Sequence, residues 1–211
     1  MKKLSDAIAG SVASGLNLDE NKRQVIAYGL LAMMQMAVIL LFSVMIGLIF
    51  QFAWEAVIVY FGVGLLRKGT GGVHSESLMS CTVMSVTIIC VLSAVSHYGL
   101  SSLTNGIVFG VIQFCLYLFC SVVIYKKAPM DTPNKPITKP EKIKRLRKQS
   151  FITLIVYFIL STVLFSMSNG KEMLISLSFS LNCALLWQVL TLTKAGAVII
   201  HAGDRLLIPR R

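Results

Sequence analysis

The stretch with the most chemical potential is Arg67-Lys-Gly-Thr-Gly-Gly-Val-His-Ser-Glu-Ser-Leu-Met-Ser-Cys81. It is polar and glycine-rich, and it holds one of only three histidines with a cysteine seven residues later. A free thiol has a pKa of about 8.5 and is little ionised at neutral pH. An adjacent imidazole can take its proton, and the thiolate–imidazolium pair can attack an amide carbonyl. In an unbroken helix a spacing of seven puts two residues on one face but about 10.5 Å apart along the axis, beyond hydrogen-bond reach. A working His74–Cys81 pair therefore needs a bend, for which Gly69, Gly71 and Gly72 supply backbone freedom. A helix starting near Ser75 or Ser77 leaves Cys81 beyond the first turn, where the dipole effect has faded, so activation falls to His74. Spacing alone leaves open a structural reading, in which both residues simply sit at a span end. Two more metal ligands are not evident nearby, and neither a metal nor a cofactor is expected.

The elements that must position these residues lie in a membrane. Of 211 residues 55% are hydrophobic and 14% charged, with a mean hydropathy of +0.76. A soluble domain carries about 25% charge. Soluble globules, disordered chains, disulfide frameworks and fibrous repeats are excluded by this composition. The length suits one membrane domain over 1–211, with no second soluble domain. The net charge is +11, unevenly spread. No Asp, Glu, Lys or Arg occurs in 77–125, whereas 126–148 holds nine basic and two acidic residues. Such an excess can mark nucleic-acid binding. Here it separates apolar spans and no folded nucleic-acid motif accompanies it, so it reads as a cytoplasmic loop against lipid headgroups.

A bilayer core of about 30 Å needs roughly 20 apolar residues as helix. Stretches at about 28–50, 78–95, 103–125, 151–167 and 173–192 meet or approach that length. A shorter one, 52–66, covers only about 22 Å and is a thin span or a re-entrant segment. The expected fold is thus all-α, with six transmembrane helices, the second short or re-entrant. Lys22, Arg23, Arg67, Lys68, the 126–148 loop and Lys194 all fall on one side of such a topology, which puts both termini in the cytoplasm. Residues 1–24 read as an interfacial amphipathic helix, since Leu4, Ile8, Val12 and Leu16 share one arc opposite Lys2, Lys3, Asp6 and Ser14. Spans one to four occupy 25–125 with the catalytic segment 67–81; the basic loop is 126–150; spans five and six fill 151–193. Residues 194–211 read as a cytoplasmic tail, with no catalytic role for His201 or Asp204. Cys90, Cys115, Cys120 and Cys183 read as small packing residues deep in spans. His97 reads as interfacial, and Glu55 as an outer-surface residue.

The run Arg67…Gly71-Gly72-Val73-His74…Cys81, followed after two spans by Ala128-Pro-Met-Asp-Thr-Pro-Asn-Lys-Pro-Ile137, resembles the accessory gene regulator B (AgrB) family. These are bacterial membrane cysteine endopeptidases that process quorum-sensing propeptides. The amphipathic start, Asn17-Leu18 before the first span and the basic central loop extend the resemblance along the chain; the tail from Gly196 is not matched. The resemblance implies that Cys81 is the nucleophile and His74 its base, acting on an AgrD-like propeptide at the bacterial cell membrane. It further implies an acyl-thioester on Cys81 that a propeptide cysteine captures as a thiolactone, and a homodimer. It makes Arg67 a supporting residue, which orients a substrate carboxylate or oxyanion or else anchors the topology. Gly72 supplies backbone freedom beside His74. Neither Glu76 nor Asp131 is assigned as the acid orienting His74. Lys126, Lys127 and Lys135 are expected to attract an acidic substrate tail, besides obeying the positive-inside rule. The competing expectations are a small transporter or exporter component and a non-catalytic membrane adaptor. Mid-membrane charge is scarce in the spans, which argues against transport.

Overall fold

The computed structural model describes residues 2–73, 75, 77–130 and 140–207, and among these every regular element is helical. The chain forms two compact units, Met1–Phe42 and Ser43–Arg211. The first contains α1 (Lys2–Gly15) and most of α2 (Glu20–Ile49). Leu4, Ile8 and Val12 are exposed on α1, as is Leu16 just after it, while the small residues Ser5, Ala9 and Ala13 form a buried stripe. Asp19 starts α2 by accepting a hydrogen bond from the Lys22 backbone N–H at 2.8 Å, which satisfies one of the donors a helix start leaves open.

The second unit contains the end of α2, then α3 (Ala53–Thr70), α4 (Leu78–Ala94) with a π-helical turn (Val95–Leu100), α5 (Gly106–Lys127), α6 (Pro140–Met167), α7 (Glu172–Leu190) and α8 (Lys194–Leu207). Side-chain caps set two of the starts. Ser77 accepts from the Ser80 N–H ahead of α4, and Asn105 from the Ile107 and Val108 N–H groups ahead of α5. Between α6 and α7 the chain turns through Gly170 at φ 81°, a left-handed conformation glycine takes without steric cost.

Among the described residues five helices are long and apolar enough to cross a membrane: α2, α4 with its π turn, α5, α6 and α7. This is the helix set of a multi-pass membrane protein. The expected short span is α3, which has 18 residues and carries Glu55, Arg67 and Lys68; it is not among the five. Large apolar side chains such as Phe114, Leu118, Ile155 and Ile159 face outward, an arrangement that suits lipid and not water.

The core of this unit is built around α7, which packs on α3, α4, α5, α6 and the π turn. Leu181, Leu185 and Val189 of α7 join Leu66, Tyr117, Cys120, Ile124, Leu154 and Tyr157 in one buried cluster. Two glycines bring α3 close to its neighbours. A Cβ on Gly62 would lie 2.8 Å from the Ala184 Cβ, and one on Gly69 would lie 2.6 Å from the Ser150 Oγ. Gly69 is therefore a packing contact inside α3, and the bend after that helix belongs to Gly71 and Gly72 alone. The Tyr157 hydroxyl donates to the Gly62 carbonyl at 2.8 Å.

Two sequence expectations change here. Glu55 is not at the surface: it is 2% exposed. It accepts a hydrogen bond from Ser176 Oγ and pairs with Nδ1 of the half-buried His97 at 2.8 Å. Cys115 faces outward, whereas Cys120 is buried; on a helix packed along one stripe, residues five apart do not share a face.

Candidate functional site

The polar segment after α3 lies at the bundle end opposite Glu55, where α3, α5 and α7 finish and α4 and α6 begin. Gly71 has φ 69° and Gly72 φ 142°, both in the region where side chains other than glycine are strained. Space is also short: a Cβ on Gly71 would lie 2.5 Å from the Met130 carbonyl oxygen, and one on Gly72 would lie 2.7 Å from Thr191 Oγ1. The role of Gly72 is thus double, a positive φ and a close approach to α7's end.

Four neighbours hold the segment. Gln188 of α7 is 0% exposed. Its amide Nε2 donates to Thr70 Oγ1 at 3.0 Å and to the Gly71 carbonyl at 2.7 Å. The Val73 N–H donates to the Thr191 carbonyl at 3.4 Å, and the Met130 N–H to the Thr70 carbonyl at 2.8 Å. Arg67 Nη2 donates to the Val73 carbonyl at 2.6 Å. Its guanidinium folds back over the segment that follows its own helix. The two expected roles for Arg67, substrate contact and topology anchor, are thereby joined by a third: it fastens the residue before His74.

Cys81 lies in the first turns of α4, its N–H bonded to the Ser77 carbonyl at 2.9 Å. The sulfur is partly exposed and forms no disulfide. The helix start at Leu78, capped by Ser77, agrees with the expected break between His74 and Cys81. His74 itself lies outside the described residues, as do Glu76, Asp131 and Lys135. Lys126 and Lys127 are exposed in the last turn of α5. They share the bundle end with Cys81, because the chain just beyond them returns to α3 through Met130. Among the described residues no three His, Cys, Asp or Glu side chains are grouped to hold a metal ion.

The sequence reading assigned no chemistry to α8, yet α8 reaches this end. Gly196, Ile200 and Asp204 repeat every four residues and form its buried stripe; His201 is exposed. Asp204 is 3% exposed and accepts hydrogen bonds from the hydroxyls of Ser75 and Ser80. Gln188 was missed as well, although an amide in an apolar span was a visible signal, since intramembrane polar groups need partners. For Asp204 the only signal was the four-residue repeat.

Fold and site together define a polytopic helical membrane protein with a strapped polar loop above a cysteine-bearing helix start. Comparison with known proteins gives the family. Residues 5–192 match the profile described as accessory gene regulator B. An AgrB-like protein of Clostridium perfringens (strain SM101 / Type A) is 35% identical, over 97% of this chain and 96% of its own. AgrB-like protein 2 of Clostridium perfringens (strain 13 / Type A) is 32% identical over the same shares. No solved structure matches significantly. The chain belongs to the accessory gene regulator B family, and membership ties it to quorum-sensing peptide processing.

Proposed function

We propose that the protein is a membrane-embedded cysteine endopeptidase that removes the C-terminal tail of an AgrD-like autoinducer propeptide. The observation that carries this reading is the family match over 5–192, which contains the whole of Arg67 to Cys81. The Cys81 thiol gives its proton to His74, and the thiolate attacks the carbonyl carbon of one peptide bond near the propeptide's C-terminus. The C–N bond breaks, the leaving amine takes the proton from His74, and the acyl group stays on Cys81 as a thioester. A thiol within the propeptide then attacks that thioester, closing a thiolactone and restoring the Cys81 thiol. Thioester exchange is nearly energy-neutral, so exclusion of water decides between ring closure and hydrolysis. Gly71 and Gly72 let the loop turn back toward α4, and Arg67 fastens it.

The exposed Lys126 and Lys127, with Lys135, attract the acidic tail and bind anionic headgroups. Both termini and the site face the cytoplasm of a bacterial cell, as the distribution of Lys and Arg requires, with α3 completing six crossings. The working form is a homodimer. Coexpression of the chain with an AgrD-like propeptide tests the activity: wild type yields the shortened peptide, and Cys81→Ala yields none. Continued cleavage by Cys81→Ala would end the proposal. A second reading, an exporter component, draws on the buried Glu55–His97–Ser176 contact, because ionisable groups inside membrane helices often mark transport paths. That reading predicts that Glu55→Gln blocks appearance of peptide outside cells while leaving cleavage intact.

A further inference from the structure

Two residues adjoin the proposed catalytic pair in sequence and meet at one carboxylate. Ser75 follows His74, and Ser80 precedes Cys81; both donate hydroxyl hydrogen bonds to Asp204 Oδ1. On the other side of His74, the Val73 carbonyl is held by Arg67 at 2.6 Å. The segment is thus fastened at both neighbours of His74, once by α3 and once by α8. α8 spans Lys194–Leu207, beyond the residues matched to the family profile. Its close seating against α4 is shown by Gly203, where a Cβ would lie 2.5 Å from the Met84 sulfur.

We propose that Asp204 is a positioning residue for the His74–Cys81 pair, which rests on the peptidase reading given above. The carboxylate holds the loop residue after His74 against the first turn of α4. On the peptidase reading its charge also favours an imidazolium at His74, the residue bonded to Ser75, since a carboxylate shielded from water acts strongly on a charge of opposite sign. Among the described residues, the other charged or titratable groups at this end include Arg67 and Lys68 of α3, Cys81 of α4, Lys126 and Lys127 of α5, Arg147 of α6, and Lys194, His201 and Arg205 of α8. α7 carries no charged residue after Glu172.

The test measures alkylation of Cys81 by iodoacetamide at neutral pH, read by mass spectrometry, with the full chain in phospholipid vesicles. Asp204→Asn keeps the shape and an acceptor oxygen for the two hydroxyls but removes the charge. The expected result is Cys81 labelling at least tenfold slower than wild type, with thermal unfolding shifted little, and partial recovery in Asp204→Glu. His74→Ala is expected to slow labelling by a similar factor. If Asp204→Asn labels within twofold of wild type while His74→Ala is slow, Asp204 has no such role and the His74–Cys81 pair stands. If His74→Ala also labels at the wild-type rate, the peptidase reading itself fails. Should Asp204→Asn not fold, Ser80→Ala reads the same tie: labelling threefold slower or more supports the proposal, and an unchanged rate overturns it.

Discussion

At Gly72 a single hydrogen atom in place of a side chain serves two demands. The φ of 142° and the approach of Thr191 both exclude a Cβ. Gly72→Ala is expected to strain the segment by about 1–3 kcal/mol, with a larger loss of peptide cleavage than of thermal stability, because the strain falls beside His74 and not in the core. Parallel melting curves and cleavage assays check this; equal activity at unchanged stability would refute the steric argument. Gln188 makes a complementary case. Replacing it by Ala removes the donor to the half-buried Gly71 carbonyl and opens a gap beside the buried Thr70. The expected cost is about 1–3 kcal/mol for the unpaired acceptor, measured as a lower unfolding temperature. The charged residues are governed by screening instead. Lys126→Glu with Lys127→Glu is expected to slow cleavage several-fold at low salt and hardly at all at high salt, since exposed charges act over about 10 Å at 0.1 M ionic strength. A rate unaffected at low salt, with topology preserved, removes the recruitment role.

Among the elements, α7 is the member on which the second unit is organised. It presents apolar residues to the common core, Ser178 to Ser161, and Gln188 to the end of α3. α3 can lie so close to it because Gly62 and Ala184 leave room; Gly62→Leu is expected to push the two helices apart and destabilise the protein by roughly 1–3 kcal/mol, the range of overpacked cores, measured as a lower unfolding temperature. Element positions were legible in the sequence wherever an apolar run met a cap or a glycine. The start of α4 at Ser77 and the polar loop before it are examples, because hydropathy and capping are local properties. Contacts between distant segments were not legible. The burial of Glu55 depends on His97 and Ser176 arriving from two other helices, and nothing near Glu55 in the chain signals that. The same holds for Asp204, whose serine partners lie more than a hundred residues earlier. Gly69 shows the reverse error: three glycines in four positions looked like one hinge, but the first is held inside α3 by contact with Ser150.

For the molecule as a whole, composition alone sets the environment, and family membership follows from a match along nearly the full chain. Two polar groups mark opposite ends of the second unit. Glu55, His97 and Ser176 gather at one, and Arg67, Cys81, Gln188 and Asp204 at the other. A crossing pattern with Lys and Arg on one side predicts that tags at both termini, and a cysteine-reactive, membrane-impermeant label aimed at Lys126→Cys, report from the cytoplasmic face. A terminus found outside would break the six-crossing assignment and with it the cytoplasmic location of the site. The central claim is that a covalent acyl-thioester forms on one sulfur, and intact-mass spectrometry after brief mixing with an AgrD-like propeptide tests it most directly. The account predicts a mass increase equal to the propeptide without its tail, mapped to Cys81 and released by hydroxylamine. Tail release with no such adduct on Cys81, or an undiminished adduct elsewhere in Cys81→Ser, would contradict it.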